Sequence, residues 1–80
     1  MSKREKLIDK LKNTKGSFTW NELVSLLNAI GYVKVEGSGS RVKFVKGDIC
    51  IDLHKPHPGN ELKRYLKKLV LAHLKQRGEI

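Results

Sequence analysis

From Tyr32 to His54 the chain repeats with a period of two. Val33 and Val35 alternate with Lys34 and Glu36, Val42 and Phe44 with Arg41 and Lys43, and Ile49, Ile51 and Leu53 with Cys50, Asp52 and His54. Successive side chains on a strand point to opposite faces, so these runs predict three strands sharing one apolar face. The other face should meet solvent and carry Tyr32, Lys34, Arg41, Lys43, Asp52 and His54. Apolar positions are even on the second run and odd on the third, so the numbers of paired residues must sum to an odd number. A two-residue turn at Lys46-Gly47 satisfies this and sets Phe44 opposite Ile49, Val42 opposite Ile51, and Arg41 opposite Asp52. A four-residue loop satisfies the same parity. The two-residue turn also puts His54 opposite Gly39, diagonal to Arg41 on the same face.

Helical periodicity flanks this centre. Leu7, Ile8 and Leu11 among charged residues predict a short amphipathic helix over 3–13. Thr19 precedes Glu22 by three residues, the capping-box spacing, and Phe18 can staple onto Leu23, so a second helix should begin at Trp20. Its buried face is Leu23, Leu26, Leu27 and Ile30, and Gly31 suits a left-handed end. After His57-Pro58-Gly59, a last helix is expected from about Asn60 to Gly78, with Leu62, Tyr65, Leu66, Leu69, Val70 and His73 covering the sheet. Arg64, Lys67, Lys68 and Lys75 would then face water. The predicted order is α-α-β-β-β-α, an α+β fold in a single domain over residues 1–80.

Charge narrows the partner. Seventeen Lys and Arg against eight Asp and Glu give a formal net charge of +9, which a polyanion would complement. Cys50 is the sole cysteine, which rules out an intrachain disulfide and points to a reducing, cytoplasmic setting. No run reaches the roughly 20 apolar residues of a membrane span, and the first residues lack the apolar core of a signal peptide. The sequence leaves the oligomeric state open.

Several chemistries can be weighed from the residues. Gly37-Ser38-Gly39-Ser40 could let backbone amides approach an anion, or could simply connect two strands. It lacks the Gly-Lys-Ser/Thr ending of a nucleotide-binding loop and does not join a strand to a helix. Arg41 could fork onto a phosphate or pair with Asp52. Histidine titrates near neutrality, which makes His54 and His57 the candidates for proton transfer, although a histidine beside a proline also suits a plain turn. His73 fits packing better. Cys50 has no activating neighbour, and no metal set or cofactor is expected. Lys63, Arg64, Lys67 and Lys68 form either a solvated stripe or a track for a nucleic-acid backbone. Three strands between the second and last helices disfavour a helix-turn-helix.

From about Trp20 to Lys75 the chain resembles the HicA family, toxins of type II toxin–antitoxin modules. The resemblance is carried by Ile30-Gly31-Tyr32 at a helix end, Gly39-Ser40 just before Val42-Lys43-Phe44, a hydrophobic third strand, and His57-Pro58-Gly59-Asn60-Glu61-Leu62-Lys63. It implies an α-β-β-β-α core like that of double-stranded-RNA-binding domains, mRNA cleavage, and neutralisation by a HicB-like antitoxin. The family pattern is Gly-Ser-His, with that histidine taken as catalytic; here Arg41 follows Gly39-Ser40. Arginine stays protonated, so it can stabilise phosphorane-like charge but cannot act as a general base.

Two expectations follow. In one, the protein is a metal-independent endoribonuclease in which Arg41 holds the scissile phosphate and His54 shuttles the proton. In the other, the same fold binds RNA without cleaving it. In both, Lys34, Gly39, Ser40, Arg41, Lys43, His57, Lys63 and Lys67 are expected to contact RNA.

Overall fold

A computed structural model describes residues 3–13, 15–56 and 59–78. The elements are α1 (Lys3–Lys12), α2 (Trp20–Ile30), β1 (Val33–Glu36), β2 (Arg41–Lys46), β3 (Ile49–His54) and α3 (Arg64–Gln76). The strands form one antiparallel sheet in the order β1-β2-β3. The fold is therefore α+β, with an α-β-β-β-α core and α1 added in front.

The start of α2 follows from three residues. The Glu22 N–H donates to Thr19 Oγ1 at 3.2 Å, and the Thr19 N–H donates back to Glu22 Oε1 at 3.0 Å. Together these satisfy two otherwise orphaned amides of the first turn. Lys10 of α1 also reaches the Glu22 carboxylate, so the cap ties α1 to α2. At the other end Gly31 takes φ 121°, and its N–H donates to the Leu27 and Asn28 carbonyls. The apolar face of α2 meets the sheet, where the Trp20 and Phe44 rings lie 5.8 Å apart. Leu7 and Leu11 of α1, and Leu66, Val70 and Leu74 of α3, complete the same core.

The β2–β3 register differs from the expected one by two residues. Phe44 pairs with Ile51, Val42 with Leu53, Lys43 with Asp52, and Arg41 with His54. The two-residue turn is Gly47-Asp48, with Gly47 at φ 59° and no positive φ at Asp48. That sign pattern belongs to a type II′ turn, which wants glycine at its first central position. Parity is kept, but Arg41 faces His54 and not Asp52.

The phase of β1 is also opposite to expectation. Lys34 pairs with Phe44 and Glu36 with Val42, while Val33 pairs with Val45 and Val35 with Lys43. Directly paired residues share a face. Lys34 and Glu36 therefore lie at the rim of the helix-covered face, 3.4 Å apart as an ion pair, and the two valines lie on the open face. Tyr32 sets this phase: its ring is buried, not solvent-facing, and a buried aromatic outweighs two valines at a sheet edge.

Helix α3 begins at Arg64, four residues later than the Asn60 start expected from sequence. The preceding residues are extended against the entry to α2: the Trp20 N–H donates to the Asn60 carbonyl at 2.5 Å, and the Leu62 N–H to the Phe18 carbonyl at 2.8 Å. This long-range pairing takes Leu62 into the core outside any helix. The inward face of α3 is correspondingly rotated. Leu66, Lys67, Val70 and Leu74 are buried, while Tyr65 and Leu69 are 65% and 53% exposed.

Candidate nucleic-acid interface

The open face of the sheet is graded along its strands. Nearest the Gly47-Asp48 turn, paired residues place Val33, Val45 and Cys50 in one cross-strand row; the next row is Val35, Lys43 and Asp52. At the far end Arg41 stands opposite His54. The face thus changes from apolar to polar toward the Gly37–Ser40 connection. A groove of about 530 Å³ opens at this polar end, lined by Val35, Gly37, Ser38, Arg41, Lys43, Asp52 and His54 among others.

The Gly-Ser connection shapes the groove mainly by closing a turn. The Gly37 N–H donates to the Arg41 carbonyl at 2.8 Å, and the Arg41 N–H to the Ser38 carbonyl at 3.2 Å. Those two amides are spent within the turn and cannot cradle an anion. A Cβ on Gly37 would sit 3.3 Å from the Arg41 carbonyl oxygen, whereas Gly39, at φ 62°, has open space around it. A side chain at 37 would crowd the Arg41 carbonyl, and glycine is favoured at 39 by its positive φ. The Ser40 carbonyl accepts the Lys55 N–H at 2.8 Å, which pins the end of β3 beside the turn.

Arg41, Lys43 and His54 are exposed, and among the described residues none has a side-chain hydrogen bond or ion pair. Among the described residues Arg41 and Asp52 form no ion pair, and the residue directly opposite Asp52 is Lys43. An exposed guanidinium opposite an exposed imidazole can hold an oxyanion and move a proton beside it.

The remaining expected contacts disperse. Lys34 belongs to the covered face by its pairing with Phe44. Gly39 and Ser40 sit in the turn, outside the groove lining. Lys63 is exposed at the N-cap position of α3. His57 lies outside the described residues. Lys67 is a correction: it is 2% exposed, and its Nζ donates to the Asn13 and Gly16 carbonyls at 2.8 and 2.5 Å. Its charge serves the end of α1 and is not presented to a ligand. Val35 and Asp52, absent from the expected contacts, line the groove; placing Tyr32 inward would have brought Val35 to this face. Among the described residues no group of three His, Cys, Asp or Glu side chains is arranged to hold a metal ion. No helix among them is long and apolar enough to cross a membrane.

A sequence model of the family described as "HicA toxin of bacterial toxin-antitoxin" matches residues 20–78. The match spans α2, the sheet and α3, so the chain belongs to the HicA toxin family. No curated protein and no solved structure matches it.

Proposed function

We propose that this protein is an RNA-directed toxin that cleaves mRNA at the Arg41–His54 end of the open sheet face. The observation that carries this reading is the direct pairing of Arg41 with His54 in a groove, with neither side chain engaged elsewhere among the described residues. Arg41 forks onto the non-bridging oxygens of the scissile phosphate and stabilises the charge that builds there. His54 takes the proton of the adjacent ribose 2′-hydroxyl as the 2′ oxygen attacks phosphorus. The bond to the 5′ oxygen breaks, and that oxygen receives the proton back from the imidazolium. The products are a 2′,3′-cyclic phosphate and a 5′-hydroxyl, and no metal is required. Lys43, two residues along β2 from Arg41 and on the same face, meets a neighbouring phosphate, and the net charge of +9 supports steep salt dependence. Family membership supports a HicB-like antitoxin as protein partner and the cytoplasm, where mRNA is found, as the setting.

The resemblance also supports a second reading, a non-catalytic RNA-binding domain: Arg41 follows Gly39-Ser40 where the family pattern implies a histidine. Cleavage of a labelled mixed-sequence RNA in chelator, with binding to the same RNA measured in parallel, separates the two. Cleavage that disappears in His54→Ala while binding persists is the expected result. Salt-sensitive binding with no cleavage, indifferent to His54→Ala, would leave only the binding domain.

A further inference from the structure

Helix α3 turns an apolar stripe away from the core. Tyr65, Leu69 and Ala72 are all exposed and fall at i, i+4 and i+7, one continuous strip along the helix. Arg64, Lys68 and Lys75 run in a parallel row one residue away, also exposed. The other flank turns into the core through Leu66 and Val70. The helix contains no Asp or Glu, so nothing within it offsets the cationic rim.

We propose that this stripe is a docking surface for an acidic amphipathic helix of a partner protein. The partner's apolar residues would cover Tyr65 and Leu69, and its carboxylates would lie along Arg64, Lys68 and Lys75. Charge complementarity selects the occupant. A second copy would bring an identical cationic row against the first and repel it. A nucleic-acid backbone would use the cations but leave the exposed tyrosine and leucine uncovered, and Lys67, which would have strengthened a phosphate track, is buried. An exposed aromatic beside a leucine, rimmed by charge, is the pattern by which a helix is received in a groove or along a partner helix. The surface belongs to α3 and shares no residue with the groove at Arg41 and His54, so partner and RNA have separate sites on this chain.

The test uses two labelled synthetic helical peptides with leucines at i, i+4 and i+7 spacing, one flanked by glutamates and its twin by lysines. Fluorescence anisotropy against the full chain should show the glutamate peptide binding at least about tenfold more tightly than the twin, a difference of roughly 1.4 kcal/mol. The Tyr65→Ser/Leu69→Ser double variant and Lys68→Glu should each weaken it about tenfold, while Arg41→Ala leaves it unchanged. Unaltered urea midpoints would show that these surface variants still fold. Equal binding of the two peptides, or binding indifferent to Tyr65 and Leu69, would overturn the proposal. So would an RNA oligonucleotide whose affinity falls in the Tyr65→Ser/Leu69→Ser variant, since that result would assign the stripe to RNA.

Discussion

Lys43 and Phe44 are neighbours in sequence and opposites in employment. Phe44 is fully buried between α2 and the sheet, touching the Trp20 ring, while Lys43 stands on the open face in the row beside Arg41 and His54. One face of the sheet is filled by side chains from every helix; the other carries exposed cations, an imidazole, a carboxylate and three valines. Stability is concentrated on the first face and the proposed chemistry on the second. In a chain this short, a function placed on the covered face would cost the fold directly.

The largest effect should come from Phe44→Ala, which empties a packed site and is expected to destabilise by about 3–5 kcal/mol, against no more than about 0.5 kcal/mol for Lys43→Ala. Urea unfolding of the two variants measures the contrast, and comparable losses would break the distinction between the faces. Lys67→Ala comes next. It strips a charged donor from two carbonyls and should cost roughly 2–3 kcal/mol, whereas Lys63→Ala, an exposed member of the same basic run, should change stability little. Equal tolerance at both positions would return Lys67 to the solvated surface.

The capping box gives a smaller effect with a definite pH signature. Burial alone would raise the Glu22 carboxyl, but the Lys10 ammonium and the Thr19 N–H and hydroxyl outweigh it and hold the group below its ordinary value of 4.5. The unfolded chain therefore binds this proton more readily than the folded one. The stabilisation is fully present above pH 4.5 and fades as pH falls through the lower folded value. Thr19→Ala should cost about 1 kcal/mol at neutral pH, and Glu22→Gln should flatten the acid limb of stability against pH. An unchanged acid limb would remove the Lys10–Glu22 contact from the account of α1 docking. Smallest of all, Val35→Thr should alter stability by less than about 0.5 kcal/mol, because Val35 is 47% exposed. A loss comparable to that of a core valine would put β1 back in the opposite phase.

Local chemistry carried much of this fold in legible form. Thr19 and Glu22 announce the start of α2 because both halves of the cap lie within four residues, and the period-two runs mark all three strands. Features decided across the chain were harder to read. Val33-Lys34-Val35-Glu36 alternates equally well in either phase, and burial of Tyr32 chooses between them. Register hung on which central position of the turn Gly47 would occupy. Asn60–Leu62 leave the helical pattern because the carbonyls and amides around Phe18 and Trp20 need partners there, a demand invisible from residues 60–62 alone. Lys67 looks like any surface lysine until the end of α1 is brought to it. At the candidate site Arg41, Lys43 and His54 were readable as open-face residues, but the direct opposition of Arg41 and His54 depended on the turn.

The Lys67 ammonium also ties the segment after α1 to α3. Family similarity begins at Trp20, yet Lys67, well inside the matched span, holds carbonyls at Asn13 and Gly16, and Leu11 of α1 is completely enclosed. Peeling away α1 and the residues through Gly16 would strand a charge without acceptors and open the core together. Local fraying of the first helix should thereby be limited, and its central amides are expected to exchange with deuterium as slowly as those of α3. A fragment cut to the boundary of the family match would carry every residue of the open face but lose Leu11 and both acceptors of Lys67, and it is expected to be less stable than the whole chain.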